Sequence, residues 1–341
     1  MIMVTGASGQ LGSLVHHRLM ERGLSPLAGT RAPERFGDLG RRVDFDDPSM
    51  LDLAGVSTLV LVSAGYDEDD VVIAHHDRVI TAAQSHGVGH VVCTSLTGAG
   101  DHLGFALAHR WTERRLQRSG LAWTVLRNGL YAELFGALAA PVDAVVSAPF
   151  GDGALAAAAR EGLADVAAAV AADPSAHRGR TYELAGTTTV DAAGLAAGLG
   201  ATCSPTSLAR RRTELASAGL LPFQPAMLMS VYSSVAAGLL AGTGGDLADL
   251  LDVPLAWADR PRRRSGLSEG GQCDEGEVGA QPSSSRGPAG GARCPRCSWS
   301  RRARPTGRRP RRCGGEGRSG RPQPAGRVLP AAAGVPRKVC R

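Results

Sequence analysis

Met1-Ile2-Met3-Val4-Thr5-Gly6-Ala7-Ser8-Gly9-Gln10-Leu11-Gly12 opens the chain and decides its fold. An apolar run, a glycine turn and an amphipathic pattern follow in that order, as in a strand and helix that cradle a dinucleotide pyrophosphate. Gly6 lets the chain turn sharply, Gly9 removes a side chain where backbone N–H groups must approach phosphate, and Gly12 lets the helix pack close on the sheet. The first turn of such a helix carries amides without intrahelical partners and a partial positive charge, which together suit an anion. Gly6, Ala7, Ser8, Gly9, Gln10, Leu11 and Gly12 are therefore predicted to bind a cofactor.

Strand-like runs recur at 1–5, 26–30, 41–45, 57–62, 89–94 and 122–127, with helical patterns near 10–22, 48–53, 69–86 and 105–119. This alternation predicts an α/β fold, a Rossmann-type doubly wound parallel sheet covered on both faces. After 128 the pattern loosens into Ala-rich helices at 131–140, 161–172, 190–198, 206–218 and 225–240, with a strand near 180–184. The expected organisation is an NADP-binding Rossmann domain over 1–130, a smaller, mostly helical substrate lobe over 131–258, partly returning to the sheet, and a tail over 259–341.

The net charge of +6 conceals two unlike parts. From Pro261 onward 18 arginines and one lysine face five acids, whereas the body carries 19 basic and 27 acidic residues. The tail is rich in Arg, Gly, Pro and Ser and lacks apolar periodicity, so it cannot bury enough surface to offset ordering and is expected to be disordered. Its composition is what a GC-rich gene yields in a shifted reading frame. Five of the seven cysteines lie there, and Cys294-Pro-Arg-Cys297 is half a zinc site with no second half, so no metal is expected. The arginine runs predict no specific nucleic-acid partner. Cys93 and Cys203 are too few for a disulfide framework, which fits a reducing cytoplasm. No signal peptide is expected before a strand that begins at Met1, and no apolar run reaches spanning length, so no membrane association is predicted.

The second strand, Pro26-Leu27-Ala28-Gly29-Thr30, ends at Arg31. Where an NAD-selective domain places a carboxylate for the ribose 2′-hydroxyl, this chain offers a guanidinium that can grip a 2′-phosphate bidentately, so NADPH (NADP) is the predicted cofactor. Asp44 and Asp46 either contact adenine or cap a helix starting near Pro48. Ser63 and Ala64 end the fourth strand where backbone passes the cofactor, and Thr94 in the fifth completes the predicted cofactor set.

Ordinary short-chain dehydrogenases protonate the substrate oxygen with a Tyr sharpened by a Lys four residues on. The only lysine here is Lys338, so none of Tyr66, Tyr131, Tyr182 or Tyr232 belongs to such a pair. Hydride transfer to an unactivated ketone needs a positioned acid. A quinone accepts hydride readily and yields a delocalised, phenol-like oxyanion for which hydrogen-bond donors or water suffice.

Several motifs in order then resemble a known family. Thr5 through Gly12 with its GxxGxxG spacing, Thr94-Ser95-Leu96, the helix with His109, Thr112, Glu113 and Arg114, Leu126-Arg127-Asn128-Gly129 with Tyr131 and Glu133, Gly151-Asp152-Gly153, and Tyr182-Glu183-Leu184-Ala185-Gly186 are similar to the NmrA-like atypical short-chain dehydrogenase/reductases. Within that group the likeness is strongest to the bacterial NADPH-dependent quinone oxidoreductases and covers roughly 1–257. The resemblance implies two-electron reduction of a small quinone-like acceptor by NADPH. It implies cofactor contacts from Gly6 through Leu11 and Arg31, and a cleft lined by Asn128 and Tyr131. Arg114 stands where relatives often carry Lys, and the family's C-terminal segment breaks off after about Leu255.

Among the remaining polar residues, the pairs His16-His17 and His75-His76 are expected at the surface or partly buried, and His109 either follows helix polarity or relays protons in the cleft. Ser95 stands at a carbonyl-orienting position or in a turn, and Arg210-Arg211-Arg212 reads as a solvated helix face. The alternative to an enzyme is a noncatalytic NADP(H)-sensing regulator of the NmrA-like type. A homodimer is compatible with the sequence, which does not fix the oligomeric state.

Overall fold

A computed structural model describes residues 1–63 and 67–251. Ala64, Tyr66, the expected tail and its cysteines lie outside the described residues. The first half alternates β1 (Ile2–Thr5), α1 (Gln10–Glu21), β2 (Leu27–Thr30), β3 (Gly40–Arg42), β4 (Thr58–Leu61), α2 (Asp69–Ser85), β5 (His90–Leu96), α3 (Ala106–Gln117) and β6 (Ala122–Asn128). There follow α4 (Ala132–Leu138), β7 (Val145–Val146), β8 (Ala154–Leu155), α5 (Arg160–Ala172), β9 (Arg180–Leu184), β10 (Val190–Asp191), α6 (Ala192–Leu199), β11 (Thr202–Cys203), α7 (Leu208–Ala216), α8 (Gln224–Ala236) and α9 (Leu247–Leu250).

Seven strands form one parallel sheet in the order β3-β2-β1-β4-β5-β6-β9. Alternation along the buried strands divides its two faces. Met3, Leu59, Leu61, Val91 and Cys93 join one apolar cluster with Val79 and Ile80 of α2 and Leu116 of α3. Their neighbours Val4, Val60 and Val92 join the opposite cluster with Leu11, Val15 and Leu19 of α1 and Leu163, Val166 and Ala167 of α5. Because every strand is parallel, all the carboxyl ends share one edge. The order reverses between β1 and β4, which opens a crevice there.

A third cluster lies beyond β6, where Phe150 stacks between Phe135 and Tyr232 at centroid distances of 4.8 and 5.7 Å. No described helix is long and apolar enough to cross a membrane.

The structure departs from four sequence expectations. The helix near 48–53 shrinks to a single turn, Pro48–Met50, because Leu51 and Leu53 are buried on either side of exposed Asp52, a period of two that no helix can present. The third strand stops at Arg42, because an Asx turn follows in which the Asp46 amide donates to Asp44 Oδ1 at 3.1 Å. His16, His75 and His76 are buried rather than superficial, and each has a polar partner: the Pro26 carbonyl, Asp46 and Thr112. Within the arginine triplet, Arg211 folds over the Tyr232 ring at 5.3 Å and pairs with Glu214, leaving Arg210 and Arg212 exposed.

Phe150 is fully buried between two rings. Phe150→Ala is expected to destabilise the protein by about 3–5 kcal/mol, read as a shift in urea midpoint with unchanged slope; a loss under about 1 kcal/mol would contradict this packing.

Candidate functional site

The crevice begins at the glycine turn. Gly6 has φ +61°, where a side chain is strained. A Cβ on Gly12 would collide with the Gly6 carbonyl, so the helix can sit this close to the turn only with glycine there. The Gly9 amide donates to Gly6 O at 2.8 Å and the Ala7 amide to Gly29 O on β2 at 3.3 Å. Gly6, Ser8, Gly9 and Gln10 are exposed, whereas Ala7, Leu11 and Gly12 are buried. The Leu11 side chain belongs to the core, so what it can offer a ligand is its amide. The first turn of α1 carries no acidic residue, which leaves its amide end open to an anion. These features fit a nucleotide diphosphate.

The end of β2 is tied to this turn. The Thr30 hydroxyl donates to Ser8 Oγ at 3.0 Å and accepts from the Ala32 amide at 3.2 Å. Arg31 is exposed beside it, at a position suited to a 2′-phosphate. Asp46 neither caps a helix nor stands free. It accepts from His75 Nε2 at 2.7 Å, and that bond, with the charges of His75, Arg31 and Arg78, holds its carboxyl below the usual range. The cap at Pro48 is Asp47, which accepts from the Ser49 amide and hydroxyl.

Ser63 and Thr94 meet on the other side of the crevice. The Ser63 amide donates to Thr94 Oγ1 at 2.9 Å, and the Thr94 hydroxyl points back to the Leu61 carbonyl at 3.5 Å. Ser63 Oγ lies 3.3 Å from His76 Nε2, while His76 Nδ1 lies 2.7 Å from Thr112 Oγ1. Burial pushes His76 down to about 3 and, with the charge of Arg110 outweighing that of Glu113, His109 to about 4, so both rings are neutral at physiological pH.

Asn128 and Tyr131 stand farther along the same edge. Asn128 is buried; its main-chain carbonyl accepts from the Thr97 amide at 2.9 Å, and its side-chain Oδ1 has no partner among the described residues. Tyr131 is pinned by its flanking backbone, with Ala158 N–H on Leu130 O and Ala132 N–H on Ala158 O, both at 3.0 Å. The Arg160 guanidinium covers its ring at 4.5 Å. Glu133 restrains Arg160 by accepting from its amide at 3.1 Å and pairing with Nη1 at 3.5 Å.

Beneath β5 and β6 runs a charge network that sequence reasoning did not find. Buried Glu113 accepts from Ser95 at 2.6 Å, from Arg110 at 2.7 Å and from Arg127 at 3.0 and 2.7 Å. Arg127 reaches on to Glu183 of β9 at 2.9 Å, and Glu183 also accepts from the Thr97 hydroxyl and the Gly98 amide. Ser95 is thus committed to Glu113. Burial alone would raise the Glu113 pKa; the hydrogen bonds from Arg127 and Ser95 and the charge of Arg110 outweigh it and leave the carboxyl below its ordinary value.

A family model described as NAD(P)H-binding matches residues 6–174. Quinone oxidoreductase 2 of Escherichia coli is 38% identical over 199 residues, which cover 54% of this chain and 68% of that protein. Its crystal structure complexed with NADPH superposes with a TM-score of 0.65 at 34% identity, covering 73% of this chain and 94% of that one. An NmrA-like family domain-containing oxidoreductase of Aspergillus flavus is 33% identical over 149 residues, 39% of this chain and 48% of that protein. The triphenylmethane reductase of a Citrobacter species, complexed with NADP(H), superposes with a TM-score of 0.68 at 27% identity, covering 76% of this chain and 97% of that one.

Among the charges at this edge, Glu113 is the most enclosed. Its removal leaves two guanidiniums short of a partner, though both keep some solvent, so Glu113→Ala should cost about 3 kcal/mol of stability. With its folded pKa depressed, the stabilisation is present above the ordinary carboxylate range and is lost as pH falls through the depressed value. Urea unfolding followed from pH 7 downward should show this acid-side loss in the wild type and a flatter profile in Glu113→Gln; identical profiles would contradict the assignment.

Proposed function

This chain belongs to the NAD(P)H-binding, NmrA-like oxidoreductases, and we propose that within that family it passes hydride from NADPH to a quinone-like acceptor. What carries the proposal is the kind of group the edge offers: Asn128 and Tyr131 can donate or accept hydrogen bonds, and residues 1–337 hold no lysine to sharpen a phenol into an acid. Such a site suits an acceptor whose reduced form is a delocalised oxyanion. The likeness to Quinone oxidoreductase 2 supports the same class.

Bound NADPH would supply the hydride. The amides of the first turn of α1, Gln10 through Gly12, hold the diphosphate, and Arg31 pairs with the 2′-phosphate. Ser63 and Thr94 border the crevice beyond the switch point. Asn128 and Tyr131 position the acceptor between the nucleotide half, 1–130, and the lobe over 131–258. Arg160, fixed on the Tyr131 ring by Glu133, holds that ring and favours negative charge building up beside it.

The full-length protein should oxidise NADPH when given benzoquinones or naphthoquinones. Arg31→Asp should weaken NADPH binding by about tenfold to a hundredfold relative to NADH, the loss of a charge-assisted bidentate contact. Tight NADPH binding with no turnover of any quinone would refute the enzymatic proposal and leave the NADP(H)-sensing alternative. Unchanged NADPH-to-NADH preference in Arg31→Asp would refute the role of Arg31.

A further inference from the structure

Arg160 is a buried cation with little to hold it. The residue is only 8% exposed, yet among the described residues its guanidinium makes no hydrogen bond. Its ion-pair partner, Glu133 Oε2, stands 3.5 Å from Nη1, beyond the roughly 2.8 Å of a charge-assisted bond. Glu133 is itself divided: it accepts from the Arg160 amide at 3.1 Å, and 43% of its side chain is exposed, so water screens what it offers the cation. Glu161 comes next in α5, but residues one apart on a helix do not share a face. The Tyr131 ring, 4.5 Å away, takes one side of the guanidinium and uses none of its N–H donors. The nitrogens without a partner keep contact with solvent.

A buried charge is stable when it is paired and hydrogen-bonded, and this one is paired loosely and not hydrogen-bonded at all. Its position says what completes it. Arg160 opens α5 two residues after Ala158, whose amide is fastened to Leu130 just past the carboxyl end of β6. α5 runs beside α1, joined to it by Arg18 Nε and Asp165 Oδ1 at 2.6 Å, and both helices cross back between parallel strands, so their positive ends share one edge. The phosphates of a nucleotide have α1 and Arg31, whereas the Arg160 fork lies beside Tyr131. We propose that Arg160 is a specificity residue that binds a negatively charged group, a carboxylate or phosphate, carried by the acceptor itself. The proposal rests on the reading of this cleft as the acceptor site. It concerns a charge present before hydride transfer, distinct from the oxyanion that the transfer creates. Glu133 keeps the cation in place loosely enough for the ligand acid to take the free N–H donors in a bidentate grip.

A matched pair of ligands tests this on the full-length protein loaded with NADP+: a naphthoquinone bearing a propanoate side chain, and its methyl ester, which differ in charge and not in the quinone. Titration calorimetry should show the acid bound about tenfold more tightly than the ester, the scale of one charge-assisted contact. Arg160→Gln should erase that preference, and Arg160→Lys, which keeps the charge without the fork, should retain part of it. Glu133→Gln keeps an oxygen for the Arg160 amide and drops the competing charge, so it should sharpen the preference by roughly threefold. Equal affinity for acid and ester in the wild type, a preference that survives Arg160→Gln, or one that is unmoved or weakened by Glu133→Gln would overturn the proposal. Equal losses of NADPH and acid binding in Arg160→Gln would put the anion on the cofactor and overturn it as well. Reduction is read separately with NADPH. Preferential binding of the acid with neither quinone reduced would overturn the quinone reading and leave the anion subsite standing, whereas binding of neither quinone would overturn both.

Discussion

The site depends on one close approach, that of α1 to the turn that precedes it. A side chain at Gly12 would strike the Gly6 carbonyl, and Gly6 itself holds a backbone conformation that other residues adopt under strain. Glycine at both positions lets the amide end of α1 aim at the crevice between β1 and β4, where the strand order reverses. A helix of 12 residues with no acid in its first turn then offers an anion both hydrogen-bond donors and a favourable dipole.

That edge has to be held rigid over several strands. On the nucleotide side the work is done by neutral hydroxyls: Thr30 to Ser8 joins β2 to the turn, and Thr94 to the Ser63 amide joins β5 to β4. Farther along the edge, toward Asn128, it is done by charge. Glu113 gathers Ser95, Arg110 and Arg127, and Arg127 carries the network to Glu183, so α3, β5, β6 and β9 are fastened just below Asn128. A buried ion cluster of this kind adds little net stability compared with apolar packing, yet it penalises any shift that separates its members. Asn128 and Tyr131 are thereby presented from fixed backbone.

Most of the architecture was legible in the sequence because short apolar runs bounded by turns and helical periodicity are local signals. Val4 beside Met3 and Val60 beside Leu59 divide the two faces of the sheet just as apolar runs bounded by turns suggest. The misread helix near 48–53 failed for the same reason: Leu51 and Leu53 obey a strand period across too few residues to outvote Pro48. The glycine turn and Arg31 could be placed because they sit next to strand ends. The Glu113 network could not, since its members are joined only when β9 arrives beside β6. Arg160 over Tyr131 is equally non-local. One signal was available and missed: Val72, His76, Val79, Ile80 and Ala83 share a stripe of α2, so His76 belonged inside and needed a partner.

The central claim is that main-chain amides at the start of α1 hold the phosphates of a nicotinamide nucleotide. Gly9 tests it most directly, because it is exposed, caps the helix and has an ordinary φ of −84°; an aspartate there brings its Cβ within 3.1 Å of the Gly6 carbonyl, which must shift slightly, and places a carboxylate where the anion must sit. Titration calorimetry of the full-length protein with NADPH should give saturable binding for the wild type and none for a folded Gly9→Asp variant. Absence of binding by the wild type, or unaltered affinity in Gly9→Asp, would contradict the account.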